Sequence, residues 1–122
     1  MSQNPQLPPK AVALFKQYLK DEPKPVHVMA AQLDSYLDFV GKAAARNEGV
    51  QWGLAQRLTD AAKALLTAAP DGKYAHAQAA ARYLIEDLDA DDDLIGSDGF
   101  EDDRLVLNAV AEHFGRPDLV VD

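Results

Sequence analysis

Apolar residues recur along most of this chain at spacings of three and four, the period of a helix with one face turned inward. Val12, Phe15, Tyr18 and Leu19 form the first such stripe. Pro9 stands at its head, where a proline forfeits no hydrogen bond. The segment DEPKP ends it, because two prolines remove donors and push each preceding residue towards extended geometry. From about His27 to Arg46 the stripe is Met29, Leu33, Tyr36, Leu37, Val40 and Ala44, which predicts the first long core helix. Asn47, Glu48 and Gly49 supply a turn. Trp52, Leu54, Leu58, Ala61, Leu65 and Leu66 then predict a third helix, ended by Pro70, Asp71 and Gly72.

A fourth helix is predicted from about Lys73 to Leu88, with Tyr74, Ala77, Ala80, Ala81, Leu84 and Leu88 inward and enough alanine for a neighbour to approach closely. The last starts near Asp98 or Gly99 and turns Leu105, Val106, Ala109, Val110 and Phe114 to one side. Gly115 followed by Pro117 is its stop signal. No stretch alternates polar and apolar for long enough to predict a strand. The reading is an all-α, single small domain of four or five helices, with a C-terminal helical hairpin joined by an acidic loop. Residues 1–9, with three prolines, read as a flexible arm. Residues 10–122 read as one helical domain, in which 85–103 form the acidic loop and the start of the last helix.

Composition agrees with one core: 122 residues, 48% hydrophobic. The absence of cysteine excludes disulfides, thiolate zinc sites and a cysteine nucleophile, and fits a cytoplasmic protein. The start, MSQNPQLPPK, has no basic region leading into an apolar core, and no apolar run approaches the roughly 20 residues that span a bilayer, so no integral membrane segment is expected.

Charge changes the picture more. Ten of the twenty acidic residues lie between Glu86 and Asp103, in EDLDADDDLIGSDGFEDD, without a Lys, Arg or His among them; the rest of the chain sets twelve Lys/Arg against ten Asp/Glu. The net charge of −8 is therefore local. It disfavours nucleic acid and anionic membranes as partners, both of which need clustered Lys/Arg, and favours a protein partner with a basic surface.

Part of the string is helix-end chemistry. Asp98 reads as an N-cap with Glu101 as its capping-box partner, and Glu101, Asp102 and Asp103 suit the positive end of the last helix. Asp87, Asp89, Asp91, Asp92 and Asp93 are not explained that way. They are the candidate partner-binding residues, with Trp52, in the first turn of its helix, as a candidate aromatic anchor. An alternative reading is a divalent-cation site for Ca²⁺ or Mg²⁺. Asp87, Asp89, Asp91, Asp93 and Asp98 fall at positions 1, 3, 5, 7 and 12 of an EF-hand-type loop, with Leu94 at the apolar position 8. Asp92 stands where the sharp turn calls for glycine, and Asp98 where a glutamate reaches the ion with two oxygens. No other cofactor is implied.

Tyr83 and Leu84, Asp89 and Asp93, Gly99 and Phe100, Asp102 and Asp103, and the apolar Leu105, Val106 and Leu107 follow one another in a familiar order. From about Ala80 to Val110 the chain resembles the YkvA-like small bacterial family of unknown function. Its pattern runs Tyr-Leu, an Asp-Leu-Ile-Pro-Asp stretch, Gly with an apolar neighbour, and an Asp pair entering a helix. The resemblance implies a helical hairpin whose spaced aspartates cap its helices. Here Ala90, Asp91 and Asp92 replace Leu, Ile and Pro, Gly96 replaces a further proline, and Glu86 and Asp87 stand where small residues or proline are common. A loop that is apolar in the family, and gives its members a membrane-peripheral look, is charged here.

Nothing else assembles into an active site. His27, His76 and His113 are far apart and match no metal-binding spacing, so solvated or helix-end roles are expected for them. There is no GxSxG, P-loop or nucleotide-binding glycine pattern. Tyr36, Tyr74 and Tyr83 have the spacing of packing residues. The functional expectation is a non-catalytic protein-interaction module, an adaptor or an immunity- or antitoxin-like blocker, with self-association left open. A metal-dependent hydrolase ranks last.

Overall fold

The computed structural model describes Leu7 and residues 9–46, 52–90 and 101–121, of which residues 10 and 87–90 by their backbone alone. It is a bundle of five α-helices, α1 (Val12–Leu19), α2 (Val26–Arg46), α3 (Trp52–Ala68), α4 (Tyr74–Ala90) and α5 (Glu101–His113), with 3₁₀ turns at Pro9–Ala11 and Pro117–Leu119. No strand occurs among the described residues.

Several helix ends have a local cause. The carbonyl of Pro25 accepts from the N–H groups of both Val28 and Met29, at 3.0 and 3.1 Å, and so opens α2. Between α3 and α4, the Lys73 N–H donates to the Pro70 carbonyl at 2.9 Å across a turn whose third residue, Gly72, has φ of +82°. A side chain at that φ would be strained, which is why the Pro-Asp-Gly sequence works there. After α5, Gly115 at φ +71° lets its own N–H reach the Glu112 carbonyl and the Arg116 N–H reach that of Ala111, a Schellman closure.

The centre of the bundle is α4, which packs against α1, α2, α3 and α5. The sequence suggests one inward stripe on this helix. Instead Ala77, Gln78, Ala79, Ala80 and Ala81 are all buried, followed by Tyr83 and Leu84. Five consecutive buried residues go all the way round a helix, and the alanines make that feasible because neighbouring axes can come close. Around α4 the predicted stripes form one continuous core: Phe15 and Tyr18 from α1, Met29, Leu33, Tyr36 and Val40 from α2, Leu58, Leu65 and Leu66 from α3, and Val106 and Val110 from α5, where Leu107 is buried as well and Leu105, expected inward, is exposed. Leu7 packs on its edge. The tail returns to α5, where the Asn108 carboxamide accepts from the Val121 N–H (2.7 Å) and donates to its carbonyl (2.8 Å), leaving Val121 buried.

Candidate interaction surface

One face of α4 binds the proline-containing turn between α1 and α2. Tyr74, Gln78, Arg82 and Glu86 succeed one another at four-residue steps and so share that face. The Tyr74 hydroxyl donates to the Lys24 carbonyl at 2.5 Å, and burial pushes its pKa up. Gln78, 2% exposed, accepts from the Lys24 N–H at 2.8 Å and donates to the Glu22 carbonyl at 2.9 Å. Arg82 is paired with Asp21 and, at 3.4 Å, with Glu86, while its guanidinium lies 4.7 Å from the centre of the Tyr18 ring. Pro23 and Pro25 leave this turn few donors, and α4 satisfies the N–H of Lys24 between them.

Above the same face, α2 and α4 part to form an open groove of about 490 Å³ lined by Lys24, Gln32, Ser35, Tyr36, Phe39, Arg82, Ile85 and Glu86. Phe39 is 53% exposed, the most exposed large apolar side chain described. Ile85 and Glu86, the last side chains described on α4, line it, and Glu86 opens the acidic string.

Of that string, four acids have described surroundings. Glu86 is paired with Arg82. Glu101 is held by Arg104, which donates from Nε at 3.1 Å and from a terminal nitrogen; these bonds keep the Glu101 carboxyl below its ordinary range. Glu101 thus serves Arg104 within the first turn of α5, together with Asp102 and Asp103, as the macrodipole favours. Asp103 is 1% exposed, so it belongs to the core of the hairpin. Asp87 and Asp89 lie on the last turn of α4 with their side chains outside the description, and Asp91, Asp92, Asp93 and Asp98 lie outside the described residues. Among the described residues no group of three metal-binding side chains occurs.

Trp52 is half-buried on the other side of α2. A Cβ at Gly41 would sit 3.0 Å from its Cη2 and 3.2 Å from its Cζ3, so the indole lies directly against helix backbone, and glycine leaves the room for it. Residues 39 and 41 point about 200° apart around α2, so Trp52 and the groove do not share a surface. The histidines meet expectation in part: His113 ends α5. His27 is exposed at the start of α2, but His76 and His113 meet with ring centres 5.2 Å apart. Their separation of 37 positions gave no local signal; the antiparallel run of α4 and α5 brings them together. Among the described residues no helix is long and apolar enough to cross a membrane.

Compared with models of known protein families, with curated proteins and with solved structures, the chain matches none.

Proposed function

We propose that this protein is a non-catalytic interaction module that presents the acidic string to a basic protein surface, in the manner of an adaptor or an immunity- or antitoxin-like blocker. The observation that carries the reading is the run of aspartates without a cationic residue among them. Glu86 and Glu101 each have an arginine, whereas residues 87 to 100 between them contain six aspartates and no cationic residue. A helix end needs no such excess, and its field attracts a cationic surface. The groove beside Ile85 and Glu86, with Phe39 exposed in it, offers an apolar seat next to that field, and the YkvA-like resemblance supports a hairpin that displays its connection.

The test uses the full chain as bait for a partner identified by mass spectrometry and then purified. Changing Asp91, Asp92 and Asp93 together to Asn should weaken binding at least tenfold and flatten its dependence on NaCl, with an unchanged melting temperature. Unaltered affinity in that variant would exclude the string as the interface. The second reading rests on the aspartate spacing from Asp87 to Asp98. A melting temperature raised by millimolar Ca²⁺ or Mg²⁺, but not by NaCl at equal ionic strength, would favour it.

A further inference from the structure

The α4/α5 hairpin is closed, at the end opposite the acidic string, by two imidazoles. His76 stands in the first turn of α4 and His113 is the last residue of α5, with ring planes tilted by 31°. Phe15 of α1 lies 6.2 Å from the His76 ring, and Phe114 lies 6.3 Å from the His113 ring. Both nitrogens of His76 and Nε2 of His113 are buried without a hydrogen-bond partner among the described residues.

The charged surroundings are one-sided. Lys73, just ahead of α4, acts on both rings, and no described carboxylate does. From α1 the pair meets Phe15 and from α5 Phe114, while Glu112, next to His113, is exposed. Burial holds both rings below their ordinary pKa, and the facing His113 together with Lys73 depresses His76 further. No third metal-binding side chain joins them among the described residues.

We propose that His76 and His113 form a pH-sensitive clasp, which holds the start of α4, the end of α5 and Phe15 of α1 together while both rings are neutral and releases the end of α5 when they are protonated. A proton on His76 places a charge among aromatic carbons where neither ring nitrogen has an acceptor among the described residues, and a proton on His113 sets a second charge against that ring and beside Lys73. The unfolded chain, with ordinary histidines near 6.5, then binds more protons than the folded one. Stability is whole above that pH and falls as the pH drops towards the folded-state values. Carboxylates held low in the fold, Glu101 by Arg104 and Asp118 by Arg116, begin to cost stability only in the ordinary carboxylate range near 4.5. Between about 6.5 and 5 the two rings therefore take up their protons only at a cost to the fold. What loosens first is the last turn of α5 with its Gly115 closure.

The experiment is an NMR titration of the three imidazoles in the full chain, with His27→Gln to assign the exposed one, beside amide exchange at pH 7.5 and 5.5 corrected for intrinsic rate. The clasp predicts that the rings of His76 and His113 titrate below 6.5. Protection from Val110 to Arg116 should fall on acidification, about tenfold for each unit of depression within the interval. His76→Phe combined with His113→Phe keeps the ring packing and removes both protonation sites, so its protection should not change. Rings titrating at or above 6.5, protection in the parent protein unchanged at pH 5.5, or an equal loss in the double variant would each overturn the proposal. Should the double variant fail to fold, the first two results still decide it.

Discussion

Two contacts of α4 solve the same problem in opposite ways. On the face that meets the α1–α2 turn, Tyr74, Gln78 and Arg82 bring polar groups into a half-buried place, and each finds a partner at 2.5 to 2.9 Å or an ion pair with Asp21. At the seam with α5, His76 and His113 bring three buried ring nitrogens and find none. The first contact is specific and stays intact near neutrality, because amide and hydroxyl bonds do not titrate there. The second depends on the rings staying neutral. A helix buried all the way round its middle can thus be fixed firmly at one contact and conditionally at another, according to whether its polar atoms are matched.

The sharpest way to break the contrast is to unmatch the first contact. Gln78→Leu keeps the volume and strips the Lys24 N–H and the Glu22 carbonyl of their side-chain partner. Leaving two backbone groups unsatisfied at a half-buried site should cost about 3 kcal/mol, seen as a lower urea midpoint at unchanged slope. A loss below about 1 kcal/mol would mean that water replaces the carboxamide and that the turn is not fixed by α4. Arg82→Met comes next. Its pairing with Asp21 is about three-quarters buried on both sides, so removal should cost about 1 to 2 kcal/mol. Part of that should vanish in 0.5 M NaCl, while the stacking on Tyr18 is largely kept by the methionine stem.

How much of this was legible in the sequence follows from what kind of force made each feature. Met29, Leu33, Tyr36 and Val40 are buried as their period predicts, because burial of a stripe is a local property of the helix that carries it. The Gly115–Pro117 stop is equally local. The depth of α4 was not legible: alanine is as common on exposed helix faces as in cores, and Gln78 reads as polar and hence outward. Its spacing from Tyr74 and Arg82 was the available signal, but its partners are backbone groups some 54 positions away. The meeting of His76 with His113 needed the packing of two helices, which no period encodes. The acidic string is the reverse case. Its charge is plain in the sequence, and the structure adds two pairings within it, Glu86 with Arg82 and Glu101 with Arg104.

The smallest expected effect calibrates the rest. Lys42 and Asp38 on α2 form an i, i+4 pair at 3.2 Å with side chains 72% and 69% exposed. By distance alone it resembles the bonds that hold the α1–α2 turn. In water, however, the two ions exchange solvation for attraction almost evenly, and holding two long side chains in register costs entropy. Lys42→Ala also places the best helix former at an exposed position. The expected change is within about 0.5 kcal/mol, at low and high salt alike. A loss as large as that of Arg82→Met would mean that burial is not what separates strong polar contacts from weak ones in this bundle. The distinction between the matched and unmatched contacts of α4 would then need another cause.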